Sequence, residues 1–203
     1  MRIAPATALL AALFTSGLAV QAAAPVPRPT KEFTIVMPSG KQTLLSSYRG
    51  KVVMLAAMFT TCPHCQRLSK IITTLQGELG PRGFQALGVA FNDEVNTPNN
   101  ASNAQVTAQF VSQFQIGFPV GYAPRESVLS YLGISEVESW AVPQVVIIDR
   151  KGVIRAQSAS RGTTELQTET YLRKFLGELL DEGGKSATPS KAAPKKAVDK
   201  KTS

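Results

Sequence analysis

Cysteine and histidine are nearly absent. The 203 residues hold two cysteines, one histidine and one tryptophan. Two sulfurs cannot build a disulfide-dense scaffold or a four-cysteine zinc site. A single imidazole, His64, excludes multi-histidine metal centres and leaves a Ser-His-Asp mechanism only if that one residue serves it. Charge is also scarce, at 18% of residues against 43% hydrophobic. That balance supplies a proper core and excludes a wholly disordered chain, a collagen-like chain and a multi-span membrane protein.

The net charge of +8 is unevenly spread. Gly183 to Ser203 holds six lysines and one aspartate, and residues 1–24 hold one charge, Arg2, so Pro25 to Glu182 is left with a net of only +2. The basic character reports a tail and not a nucleic-acid-binding face. Residues 1–24 read as a secretory signal: Arg2, then the uncharged apolar stretch Ala8 to Val20, then the small residues Ala22-Ala23-Ala24. The alternative is an uncleaved anchor helix, and either way the following domain, 25–182, is exported to the periplasm or another extracytoplasmic space. Outside the cytoplasm a disulfide can persist. Residues 183–203 contain no apolar side chain larger than valine and read as a disordered, lysine-rich tail, capable at most of weak contact with anionic surfaces.

Within the domain, Val52 to Phe59 and Phe84 to Phe91 are nearly continuous apolar runs, the pattern of strands buried on both faces. Phe33 to Val36 is a shorter apolar run. Leu68, Ile71, Ile72, Leu75 and Leu79 recur at helical offsets over Cys62 to Leu79, stopped by Gly80-Pro81. Ala104 to Gln115 and Arg125 to Leu132 are further helix candidates. Val145 to Ile148, the turn Asp149-Arg150-Lys151-Gly152 and Val153 to Ala156 form a hairpin, followed by a terminal helix over Thr164 to Glu182. This order predicts an α/β domain with a central mixed sheet and helices on both faces. Asn92 to Asn103 is a long polar loop at the edge of the site.

The strongest motif is Thr60-Thr61-Cys62-Pro63-His64-Cys65, between a buried strand and a helix, where open α/β sheets present residues to ligands. Cys62 falls at the helix start, where unpaired N–H groups and the positive end of the dipole stabilise a thiolate. Pro63 suits the first helical turn, since its missing N–H would have no acceptor there. His64 brings a donor or a positive charge near the sulfur. Cys65 is three positions on, close enough to form a redox-active Cys62–Cys65 disulfide and to resolve a mixed one. The chemistry is then exchange with protein thiols and disulfides and with an unidentified redox partner, without a cofactor and without nucleic acid. A structural disulfide, or a soft-metal site for Cu(I) or shared zinc, is the alternative use of the pair. Further on, Trp140-Ala141-Val142-Pro143 precedes a strand. A cis Val142–Pro143 bond would expose the Val142 backbone to a bound peptide, and Trp140 either shapes a partner groove or simply packs.

On these residues the chain resembles the thioredoxin superfamily, in particular its exported TlpA/ResA-like, redoxin-like branch. The resemblance runs over about residues 31–180 and rests on Ser46-Ser47-Tyr48-Arg49-Gly50-Lys51-Val52-Val53, Cys62-Pro63-His64-Cys65, Phe118-Pro119-Val120, and Val142-Pro143 leading into Val146-Ile147-Ile148-Asp149-Arg150-Lys151-Gly152. It implies a thioredoxin-like fold, a cis Pro143 packed against the disulfide, Cys62 as nucleophile and Cys65 as resolving cysteine, with Val142, Pro143 and Trp140 touching substrate. Three positions depart from the family pattern: Thr61 replaces an aromatic residue, and Ala56 and Leu68 replace carboxylates. The dipeptide Pro63-His64 is that of the strongly oxidising periplasmic oxidases resembling DsbA, although the chain lacks their long helical insertion. Phe59 stands where a peroxidase built on Cys62 would need threonine. A copper-handling protein or a redox-inert binding module on the same fold is the competing reading.

Overall fold

The computed structural model describes residues 24–92, 102–161 and 164–184. The expected signal segment up to residue 23, most of the Asn92–Asn103 loop and the tail from residue 185 lie outside the described residues. Eight strands form one mixed sheet: β1 (Arg28–Pro29), β2 (Thr34–Val36), β3 (Gln42–Leu44), β4 (Val52–Met58), β5 (Phe84–Ala90), β6 (Val120–Tyr122), β7 (Gln144–Ile148) and β8 (Val153–Gln157). Their spatial order is β1-β8-β7-β4-β5-β6-β2-β3. The helices are α1 (Pro63–Leu79), α2 (Asn103–Gln113), α3 (Arg125–Leu132) and α4 (Glu169–Gly184).

Strand β4 is the axis of the domain. All seven of its residues are buried. It runs parallel to β5, from Val52 opposite Phe84 to Met58 opposite Ala90, and antiparallel to β7. Alternation then divides its side chains between two cores. Val52, Met54, Ala56 and Met58 face α1, α4 and Phe110 of α2, whereas Val53, Leu55 and Ala57 face α3 through Val128, Leu129 and Leu132. An apolar run with no alternation is therefore what a strand sandwiched between helices requires.

Helix α1 buries Leu68, Ile72, Leu75 and Leu79 against the first core. Burying four such side chains stabilises it by roughly 1.5–3 kcal/mol each. This outweighs the missing side-chain cap at Cys62, a loss of about 1 kcal/mol. Helix α2 is started by the opposite device, a capping box in which Ser102 and Gln105 satisfy each other's backbone amides.

Boundaries moved where side-chain pattern gives way to capping geometry. Cys62 is the N-cap of α1 and not its first residue. The terminal helix begins at Glu169, after a single turn over Glu165–Gln167, and continues through Gly184, two residues past the expected domain end at Glu182. The short strands β1, β3 and β6 give no periodic signal, and β6 exists through its neighbours: it runs parallel to β5 and antiparallel to β2. Gly121 lets β2 approach. A Cβ there would sit 2.5 Å from both the Val36 carbonyl oxygen and the Ile35 side chain. Gly121→Ala is therefore expected to destabilise the domain by about 1–3 kcal/mol. Gly77→Ala, at an exposed helical position with nothing within 4 Å of the new carbon, should stabilise it by up to about 1 kcal/mol. Urea unfolding of both variants checks the pair.

Candidate active site

The chain leaves the core at Met58 and turns into α1 through Phe59, Thr60 and Thr61. The Cys62 amide closes this turn on the Phe59 carbonyl at 3.2 Å. Cys62 takes extended backbone angles as N-cap, with Pro63 at the first helical position. No side chain caps this end of the helix, so its unpaired amides and dipole act on the Cys62 sulfur.

The two sulfurs sit in different surroundings. Cys62 is half-buried, Cys65 is 0% exposed, and both are free thiols. Burial pushes the Cys65 thiol far above the ordinary range, and the neighbouring Cys62, by its charge and by a hydrogen bond, pushes it further. Ala56 and Leu68, the positions that lack carboxylates, are buried members of the same apolar core.

The second half of the site comes from the segment before β7. The Val142–Pro143 bond is cis. The Val142 carbonyl faces the Cys62 thiol, which donates to it across 4.0 Å, and the next residue, Pro143, is buried. Cys62, Cys65, Val142 and Pro143 are thus brought together. Pro63 and His64 are exposed. His64 faces along the helix, its Nδ1 accepting from the Arg67 guanidinium at 2.9 Å, a contact that places the ring proton on Nε2. Trp140 is half-buried beside Phe59 and Phe91, with ring centroids 5.8 and 5.6 Å away, and the Arg125 guanidinium lies 4.8 Å above it. Its ring is held in the α3-side core, so packing accounts for most of its surface.

Four carboxamides that the motif does not include hold this geometry, one of them Gln167, whose Nε2 donates to the Pro143 carbonyl at 3.4 Å. Asn92 Oδ1, at the end of β5, accepts from both the amide and the hydroxyl of Thr60, at 2.9 and 3.3 Å. Gln66, one turn into α1, donates to the Thr60 carbonyl at 3.0 Å. Every polar group of Thr60 is therefore tied by these two side chains. Gln144 performs a corresponding task for the Val142 segment. The readable signal for it was a polar residue opening an otherwise apolar strand. Asn92 and Gln66 carry no such mark. Among the described residues there is no group of three or more His, Cys, Asp or Glu able to hold a metal ion, and no helix long and apolar enough to cross a membrane.

Comparison with known proteins agrees with this architecture. The sequence profile of the AhpC/TSA family matches residues 26–157. No curated protein matches the chain in sequence. Among solved structures, a thiol:disulfide interchange protein of the thioredoxin family from Chlorobium tepidum superposes with a TM-score of 0.61 at 21% identity, covering 78% of this chain and 99% of that one. The thioredoxin domain of a thiol-disulfide oxidoreductase from Bacteroides vulgatus gives 0.57 at 16% identity, covering 76% and 96%. A thiol:disulfide interchange protein from a Bacteroides species gives 0.57 at 15%, covering 74% and 90%. The fold is thioredoxin-like.

The buried thiol has a thermodynamic consequence. The folded protein keeps the Cys65 proton that the unfolded chain releases near pH 8.5. Its contribution to stability is complete below that pH and is lost as pH rises further. The reduced protein should lose up to about 1.4 kcal/mol per pH unit more steeply than Cys65→Ala between roughly pH 9 and 11. Denaturant titrations of the two proteins across that interval measure the difference.

Proposed function

The chain belongs to the AhpC/TSA family, and on that footing we propose that it is an exported thiol–disulfide oxidoreductase acting on protein substrates. The reading rests on one observation above all: a half-buried Cys62 at an uncapped helix start, facing the Val142 carbonyl, with a fully buried Cys65 one turn behind it. Exposure and the helix end select Cys62 as nucleophile, and burial keeps Cys65 protonated until it is needed.

In the oxidising direction for the enzyme, the Cys62 thiolate attacks one sulfur of a substrate disulfide. A Cys62–substrate S–S bond forms, the substrate S–S bond breaks, and the leaving thiolate takes a proton from solvent. The mixed disulfide carries no charge at Cys62. One of the causes that holds the proton on Cys65 is thereby removed. Cys65 gives its proton to solvent and attacks the Cys62 sulfur. The second substrate thiolate leaves, and a Cys62–Cys65 disulfide remains. The reverse sequence delivers a disulfide to substrate thiols. Val142 and Pro143 border the sulfur and would meet the substrate backbone. His64 holds the Arg67 guanidinium against it, and that cation adds positive charge near the helix start, which favours the reduced form. Arg2, the apolar Ala8–Val20 stretch and the alanines at 22–24 support export, and the lysine-rich tail supports weak attachment to anionic surfaces.

Cys62→Ser should abolish turnover in insulin-disulfide reduction, and Cys65→Ser should accumulate a mixed disulfide with the substrate that dithiothreitol releases. Full activity in Cys62→Ser removes the mechanism. Equilibration with glutathione buffers should place the pair above the roughly −270 mV of thioredoxin. A value at or below that figure contradicts the part assigned to the helix end and the Arg67 cation held by His64.

A further inference from the structure

We propose that Gln144 is the positioning residue for protein substrates, holding the Val142 carbonyl where a substrate chain must meet it. This rests on the oxidoreductase reading and adds a residue outside the cysteine motif. Gln144 opens β7 directly after Pro143 and is 2% exposed. Its Nε2 lies 2.7 Å from the Ala141 carbonyl, 3.1 Å from that of Ala159 and 3.2 Å from that of Ser160. Three carbonyls around one atom fix the amide orientation, because only the NH2 group can donate. The Ala141 amide in turn donates to the Ser160 carbonyl at 2.9 Å. One carboxamide therefore clamps the segment bearing Val142 to the chain beyond β8.

The arrangement leaves one buried group unsatisfied. Gln144 Oε1 is buried and has no hydrogen-bond partner among the described residues. A buried acceptor left unpaired is unfavourable, and β7 otherwise consists of Val145, Val146, Ile147 and Ile148, all buried. A leucine or methionine would fill the position without an orphaned oxygen. It would also release the three carbonyls. The backbone before β7 would then be held by the Ala141 amide on Ser160 and by Gln167 Nε2, which donates to the Pro143 carbonyl at 3.4 Å. It would gain freedom relative to Cys62, whose own position is set independently by Asn92 and Gln66 through Thr60.

The test separates positioning from chemistry by substrate size. A peptide must engage both Cys62 and the Val142 backbone, whereas a small disulfide such as bis(2-hydroxyethyl) disulfide needs only the sulfur. Gln144→Met is expected to lower kcat/KM for insulin about ten- to hundredfold, chiefly through KM, while the rate with the small disulfide stays within about twofold. If the methionine variant does not fold, Gln144→Asn, which withdraws the carboxamide by one methylene, is expected to show the same split. Insulin turnover within twofold of the parent, or an equal loss on both substrates, overturns the proposal. A parent protein that turns over neither substrate overturns the oxidoreductase reading instead. Hydrogen exchange at the Ala141 amide then decides the clamp alone: it should be about tenfold faster in the variant, and unchanged exchange refutes it.

Discussion

The site depends on how β4 ends. Its seven residues are buried on both faces, so the strand cannot move without opening two cores. The next helix must begin within a few residues to cover the sheet. Cys62, the N-cap, and Cys65, in the first turn of that helix, lie across the boundary between core and solvent. A helix turn carries successive positions around its axis, so residues three apart fall on one side but at different depths. Here that places one sulfur at the rim and the other at 0% exposure. The same burial that stabilises α1 thus divides the pair into an accessible thiol and a protected one.

Amide groups perform the local positioning. Thr60 is held by Asn92 and Gln66, and the Val142 segment by Gln144. Carboxamides offer donors and acceptors without net charge, so they can tie backbone groups at the edge of a core without the desolvation cost of an ion. Ala56 and Leu68 continue this pattern, presenting only apolar surface to Cys65. The charge near the site, Arg67, lies with its acceptor His64 on the exposed side of α1. The electrostatics acting on Cys62 therefore come from the helix end and from the solvent-facing Arg67 guanidinium.

Much of the architecture was legible because it is written in long apolar runs. Val52 to Phe59 and Phe84 to Phe91 are nearly unbroken apolar runs, each one residue longer than the strand it forms, the Leu68–Leu79 stripe has a helical period, and α3 keeps the bounds its sequence suggests. Strands β1, β3 and β6 span two or three residues and are made by pairing, so no local pattern announces them. The candidate nucleophile, its partner and the proline were legible as a motif. Asn92 was readable only as the first residue of a polar loop, and its bond to Thr60 spans 32 positions.

What the residues alone determined was composition and order: which segments bury both faces, which stripe makes a helix, and that two sulfurs three apart open it. Those properties are local, since propensity and periodicity act within a turn or a strand. The tertiary structure decided the rest. It set the depth of Cys65, brought the Val142 carbonyl to 4.0 Å from Cys62 across 80 positions of chain, and turned Gln144 toward three carbonyls. Burial and backbone approach are created when separate segments pack together, and no stretch of sequence contains them by itself.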